Sequence, residues 1–486
     1  MAIGTLIKKQ YNKFDKLSTP VKASVAFMIC SFMQRGISTL TTPIFTRLLD
    51  TEQYGYYTIF TSWLEIISVF TTLKLAGSVF TQALVKFDKE RETLAASTAG
   101  LGTTVTLFVT CIYLPLRKYI NSWLGMPTLI VLCMFIASWA ALMFELWAAQ
   151  QRVEYKYKAL VLLTLLTSIA KPVSGIIAVI ATKEYKAEAR IVSLVIVELL
   201  AYTGLFVSFL RKGKTFYNKR FWKYSLSLNI PLIPHYLTRT ILHQADRLMI
   251  KHMVSYSAAG IYGLAYNLAW MLTLVTNAIL NTLNPWIFER IKKKEYKRIG
   301  SLSYMILGIV AVTGLALIAL APEAVRIFAP AKYHGAIWII PPVTASVYFL
   351  FMYSLFADFE FYFEKSGFMT IASTIGGVLN IILNYIFINL FGYIAAGYTT
   401  LFCYFFYAAA HYICMRRIIK KQLDNVKVYD LKIIIAISAV FLGLSALLMV
   451  TYNYPVIRYC IILASMIAVI IKRDFFLNTI KEIKKK

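Results

Sequence analysis

The sequence predicts an all-α polytopic membrane protein with about fourteen transmembrane helices. Three observations predict it. Hydrophobic residues make up 59 % of the 486 residues, and the mean hydropathy is +0.65. Apolar runs of about 20 residues, enough to cross a hydrocarbon core roughly 30 Å thick, recur from residue 21 to residue 472. Lysine and arginine collect in alternate gaps between those runs.

Taken in order, the first 20 residues form a basic tail. The run at 21–48 is too long for a signal-peptide core and lacks a small-residue cleavage site, so it reads as a retained first helix. The later spans fall at 55–85, 94–116, 121–150, 158–182, 189–210, 224–250, 257–288, 300–321, 335–359, 367–391, 393–415, 431–451 and 455–472. With the tail inside, the inward segments are 86–93, 151–158, 211–223, 289–299, 360–366, 416–432 and the basic tail at 473–486. Together with the first tail, and with Lys22 and Lys472 beside the two tails, they hold 36 of the 51 Lys and Arg; the outward segments hold 10. The positive-inside rule then puts both termini in the cytoplasm.

The formal charge of +28 follows from the same loops, so anionic lipid and topology explain it and nucleic acid is not an expected partner. Cys30, Cys111, Cys133, Cys403, Cys414 and Cys460 are scattered through apolar runs without paired spacing, which supports neither a disulfide framework nor a metal site. No cofactor is expected. The chain has no Asn-x-Ser/Thr acceptor and no outward segment long enough to fold as a domain, which suits a bacterial inner (cytoplasmic) membrane.

An internal repeat divides the spans. The first reads QRGISTLTTPIFTRLLDTEQYGYY and the seventh TRTILHQADRLMIKHMVSYSAAGIYG. Arg35 and Arg47 are 12 residues apart, as are Arg239 and Lys251; Gly55 and Tyr57 correspond to Gly260 and Tyr262 at an offset one residue longer. A six-helix repeat returns the chain to the same side, so the halves, 21–210 and 224–415, are parallel pseudo-repeats joined by the linker 211–223. The loop 416–430 leads to two additional helices within 431–472. Transporters with parallel halves bind substrate between them and open to alternate faces.

Ionisable residues inside the spans are Arg35, Glu65, Lys74, Glu145, Lys171, Glu198, Arg239, Asp246, Arg247 and Asp358. Each costs about 2.5–3.5 kcal/mol at mid-bilayer, so such groups face a cavity or a partner. Helical spacing puts Ser31, Arg35, Ser38, Thr39, Thr42 and Thr46 on one stripe, and His235, Arg239, His243, Asp246 and Arg247 on another. Asn277, Asn281 and Asn284, and Asn380 with Asn384, extend such faces; amides suit sugar hydroxyls as donor and acceptor. The competing reading pairs the charges off inside a packed bundle: Arg35 with Glu65, Arg239 or Arg247 with Asp246, Lys171 with Glu198. Glu145 and Asp358, near helix ends, read as wet. Glu65 and Asp246 are the candidates for ion coupling, by a proton or a monovalent cation.

The run FMQRGISTLTTPIFTRLLDTEQYGYYTIFTSWLEI, then LKLAGSVFTQALVKFDKERETLAASTAGL, resembles the Wzx-type polysaccharide (O-antigen or capsule) flippases of the MOP superfamily. Its most specific pieces are TPIFTRLL at 42–49, YGYY at 54–57 and KFDKER at 86–91, with ADRLMI at 245–250 and AGIYGLAYN at 259–267 at the start of the second half. The resemblance implies a V-shaped bundle of two six-helix halves plus two further helices. It also implies a substrate, an oligosaccharide repeat unit on undecaprenyl diphosphate, carried to the periplasmic or outer leaflet by alternating access. A cationic cavity is implied too, with Arg35, Arg239 and Arg247 on the diphosphate. Membrane lipids and a polysaccharide polymerase or ligase complex are its further implied partners. Arginine forks bind phosphate oxygens bidentately. With no GxxxxGK[ST] run, energy would come from a gradient or from consumption of the product.

A drug or cation antiporter of the same superfamily is the nearest alternative; basic residues at both symmetric deep positions disfavour it. A polymerase, ligase or glycosyltransferase would need a sizeable outward loop, and a major-facilitator sugar transporter would carry a glycine-rich loop where this chain has KFDKERETL.

Overall fold

The computed structural model describes residues 18–365, 367–423 and 426–471. The expected basic tails, apart from residues 18–20, lie outside the described residues, as do 424 and 425 of the expected loop 416–430. The apolar runs are helical. The first part of the chain forms α1 (Thr19–Leu48), α2 (Thr51–Thr72), α3 (Ser78–Lys86), α4 (Arg91–Leu124), α5 (Thr128–Val153), α6 (Tyr157–Ala181), α7 (Lys186–Gly213), α8 (Lys219–Asn229) and α9 (Ile233–Met253). There follow α10 (Tyr256–Trp270), α11 (Leu272–Lys292), α12 (Tyr296–Ala319), α13 (Ala321–Phe328), α14 (Ile340–Tyr362), α15 (Gly367–Phe391), α16 (Ala395–Gln422), α17 (Leu431–Val450) and α18 (Pro455–Ile471).

The protein is an all-helical, multi-pass membrane protein. Nine helical segments among the described residues are long and apolar enough to cross a bilayer by themselves. The helices α1 and α9 are not among them, because the polar stripes read from the sequence dilute their hydropathy.

Local chemistry sets the helix ends. Asp50 starts α2 by accepting a hydrogen bond from Gln53 N at 2.7 Å, and Asp430 starts α17 by accepting one from Lys432 N at 3.0 Å. The run expected as one span at 55–85 is two helices. Leu73 and Lys74 take left-handed φ angles of 46° and 48°, which close α2, and Lys74 Nζ turns back to donate to Ser68 Oγ at 2.9 Å. The seventh run is interrupted too, by the tight turn Ile230–Leu232, which contains Pro231 and is followed by Pro234, two residues that cannot donate to a preceding turn.

The helices pack into two units, 1–260 and 261–486. The core of the first is built where small residues let helices approach: Ala95, Ala96 and Ala99 of α4 are fully buried against Leu142, Met143 and Leu146 of α5 and Tyr202 of α7. A methyl group on Gly102 would lie 2.3 Å from Leu142 Cδ2. Because α9 packs on α2, it belongs by contact to the first unit, whereas the sequence reading put it in the second half, expected to begin at 224.

In the second unit α14 is the most enclosed of the spanning helices and lies along α16. Asp358, expected to be wet, is 1 % exposed there. Tyr429, from the segment before α17, is seated over Phe356 and Phe359 of α14 and donates to Leu355 O at 3.5 Å. Arg458 of α18 is 1 % exposed and pairs with Glu323 of α13.

Candidate substrate-binding site

The α1 stripe is open along most of its length and closes at Thr46, which is fully buried. Ser31, Arg35 and Ser38 are exposed, and Thr39 and Thr42 are half-buried. Ser31 Oγ and Thr42 Oγ1 donate to Phe27 O and Ser38 O of their own helix, at 2.9 and 3.0 Å. Those hydroxyls are thereby satisfied as donors, and their oxygens remain as acceptors.

On α9, Arg239 is exposed and His235 and His243 are half-buried, whereas Asp246 and Arg247 are 1 % and 8 % exposed. The stripe thus runs from an open end to a closed one. At the closed end Arg247 Nη1 donates to Gln244 Oε1 at 2.5 Å, and Gln244 Nε2 donates to Glu65 Oε2 of α2 at 2.6 Å. One amide therefore joins a guanidinium to a carboxylate across two helices. Sequence reasoning missed Gln244; its signal was the i, i+3 spacing to Arg247 on a helix already read as polar.

Arg35 and Arg239 make no ion pair or hydrogen bond to another described residue. The sequence alternative that paired Arg35 with Glu65 is not what is observed, since Glu65 receives Gln244. The alternative does hold for Lys171 and Glu198, whose Nζ and Oε1 are 2.5 Å apart between α6 and α7. An unpaired guanidinium facing hydrocarbon is costly. Two such side chains, at repeat-equivalent positions, call for water or an anion beside them.

The amides of the second unit divide. Asn277 and Asn281 of α11 are exposed. Asn380 and Asn384 of α15 are both 0 % exposed: Asn384 Nδ2 donates to Asn380 Oδ1 at 3.2 Å, and Thr399 Oγ1 of α16 donates to Asn384 Oδ1. The outer side of α15 carries exposed Ile375, Val378 and Ile382, so its amides turn inward and fasten α15 to α16.

The repeat's own landmarks meet. A Cβ on Gly55 would lie 1.8 Å from Tyr256 O, and one on Gly260 would lie 2.8 Å from Gly55 N. Ser257 Oγ donates to Thr51 Oγ1 at 2.7 Å beside them. The YGYY and AGIYG glycines are thus the point where the starts of α2 and α10 touch. Nearby, Arg190 of α7 stacks between Phe45 and Tyr57, with its guanidinium carbon 3.5 and 3.6 Å from the two ring centroids. The TPIFTRLL and YGYY stretches therefore bracket a cation that neither contains.

The fold is one that solved membrane transporters share. A solved lipid II flippase, MurJ, in an inward closed conformation, superposes with a TM-score of 0.70 over 93 % of this chain and all of its own, at 16 % identity. An inward-facing multidrug resistance transporter of the MATE family superposes at 0.59, over 80 % of this chain and 96 % of its own, at 14 % identity. In sequence, the "Lsg locus putative protein 1" of Haemophilus influenzae is 21 % identical over 392 residues, 74 % of this chain and 88 % of that protein. An uncharacterized membrane protein of the same organism is 22 % identical over 374 residues, 73 % and 87 % of the two chains. The polysaccharide biosynthesis protein family matches residues 21–291, more than half of the chain, and the chain belongs to that family.

Proposed function

We propose that this protein is a flippase for an oligosaccharide repeat unit carried on undecaprenyl diphosphate, moving it from the cytoplasmic to the outer leaflet for cell-surface polysaccharide synthesis. The observation that carries this reading is the pair Arg35 and Arg239: both exposed, both without a described partner, and 204 residues apart in corresponding places of the two repeats. A diphosphate cannot cross hydrocarbon unaided, and two guanidinium forks offer bidentate hydrogen bonds to its oxygens. The hydroxyls of α1 offer sugar-binding groups beyond them. The polyprenyl tail stays in lipid while the head group passes.

In this reading the chain has fourteen spans, grouped as two six-helix repeats and two further helices, with both termini in the cytoplasm. Glu65, tied through Gln244 to Arg247, is the group through which an ion gradient would act, with Asp246 beside it on α9. Family membership and the likeness to a lipid II flippase support the substrate class. Glu65 and the MATE likeness favour a second reading, a drug or cation antiporter, whose cationic substrate would have no use for Arg35 or Arg239.

The test follows the leaflet in which the lipid-linked oligosaccharide accumulates in cells carrying the wild type, Arg35→Ala, Arg239→Ala and the two Lys replacements, at matched membrane levels. Alanine is expected to hold the glycolipid on the cytoplasmic side, with partial rescue by lysine. Normal passage in all four removes the arginines from the site. Normal passage without the protein removes the flippase reading and leaves the antiporter.

A further inference from the structure

We propose that Glu360 and His411 form a proton-binding site in the second unit, separate from the Glu65 and Asp246 positions and resting on the transport reading above. The two side chains face each other across the contact of α14 with α16, with Glu360 Oε1 2.7 Å from His411 Nδ1, and both are 0 % exposed. The second carboxylate oxygen, Glu360 Oε2, is buried without a hydrogen-bond partner among the described residues. The rings of Tyr353 and Tyr407 lie 4.8 and 4.5 Å from the imidazole and close the site against water.

Charge bookkeeping explains why such a pair holds one proton. With one proton shared, as carboxylate and imidazolium or as carboxylic acid and imidazole, the pair is neutral. Removing it leaves a buried carboxylate next to a neutral ring, and adding a second leaves a buried imidazolium beside a neutral acid. Either state strands a charge out of water, at a cost of several kcal/mol per ion. The proton count of the pair is thereby tied to the contact of α14 with α16. When they part and water enters, the proton can leave to bulk solvent, so loading and release follow helix movement. A neutral hydrogen bond such as Gln with Gln would hold the helices together equally well; a titratable pair there makes their contact depend on a proton.

Other titratable groups lie on the elements packed against the pair. On α16, Cys414 lies next to Glu360, and Arg417 acts electrostatically on Cys414. On α14 itself Asp358 is buried two residues away, and it acts electrostatically on Tyr429. From α11, Arg290 is already held by Glu295 at 2.7 Å.

The test uses the purified full chain in lipid vesicles, titrated by infrared difference spectroscopy between about pH 4 and pH 9, a range that brackets ordinary carboxyl and imidazole titration. Glu360→Gln, His411→Gln and the double variant are compared with the wild type; the double variant keeps a hydrogen-bonded pair and guards against misfolding of the single ones. The expected result is a carboxyl band and an imidazole band that shift together and account for one titrating proton per chain, absent from the double variant. In cells, glycolipid export by the wild type should change by up to about tenfold per pH unit, the limit for one proton, and export by the double variant should not follow pH. Identical spectra for the wild type and the double variant would overturn the proposal. So would a double variant whose export keeps the wild-type response to pH. If the wild type exports nothing, the flippase reading fails while the spectra still decide the proton site.

Discussion

Replacing Gly55 with alanine should loosen the contact between the starts of α2 and α10. The new Cβ would sit 1.8 Å from Tyr256 O and 2.6 Å from its carbonyl carbon, where ordinary contact begins at 3.4 Å, so the backbones must separate by about 1.6 Å. Both obstacles are backbone atoms, so no side chain can swing aside. Overpacking of this kind costs about 1–3 kcal/mol. A free-energy change of 1–3 kcal/mol shifts a two-state equilibrium roughly 5- to 150-fold. The assay is disulfide formation between Thr51→Cys and Ser257→Cys after the six native cysteines are replaced by serine. Gly36→Ala serves as the control, because a Cβ there meets nothing within 4 Å. Cross-linking should slow about tenfold or more with Gly55→Ala and not with Gly36→Ala. Equal rates in the two, with equal melting temperatures, would refute the argument that these glycines set the contact.

Other perturbations have equally definite expectations. Lys171→Ala should cost about 3 kcal/mol, because it strands Glu198 inside the bundle, and Lys171→Met with Glu198→Leu should recover most of it; thermal melting in detergent reads both. Gln244→Leu should separate Glu65 from Arg247 and slow glycolipid export at matched expression, whereas an export rate equal to wild type would leave the amide bridge without a role. Arg190→Lys gives up flat stacking between Phe45 and Tyr57 and should lower stability by about 1 kcal/mol, seen as a lower melting temperature. At the end of α5, burial pushes the Glu154 carboxyl up, but hydrogen bonds from Lys156 and Gln150 outweigh it and hold the carboxyl below its usual range. A depressed carboxyl stabilises the fold above its unfolded value and loses that contribution as pH falls through the lower folded one, so Glu154→Gln should flatten the acid side of a melting-temperature profile below about pH 4.3.

The helices were legible because membrane spans leave a long, one-dimensional signal: about 20 apolar residues in a row and a bias of lysine and arginine. What the signal hides is a break inside a run. Leu73 and Lys74 carry no proline or glycine, so their left-handed turn left no mark in the sequence. Periodicity also found the exposed faces of α1 and α9, including Arg35 and Arg239. It could not tell an open face from a closed one. Asn277 and Asn281 are exposed and Asn380 and Asn384 fully buried, although both pairs show the same i, i+4 spacing. Partners across helices were the least legible part. Nothing local announces that Glu65 meets Gln244, 179 residues away, or that Glu360 meets His411, because packing rather than spacing brings them together. The pairing of Gly55 with Gly260 was half visible: the repeat marked both glycines, and the close approach of two backbones gives the physical reason for them.

The most direct measurement is transport itself, with purified protein in vesicles loaded with a fluorescent polyprenyl-diphosphate oligosaccharide in the inner leaflet and a membrane-impermeant quencher added outside. The wild type should expose the glycolipid to the quencher with time, Arg35→Ala and Arg239→Ala should slow that exposure at least about tenfold, and a polyprenyl chain lacking the diphosphate should not be moved. Exposure at the same rate with and without the protein, or by the arginine variants as fast as by the wild type, would contradict a flippase that grips its substrate through these two residues.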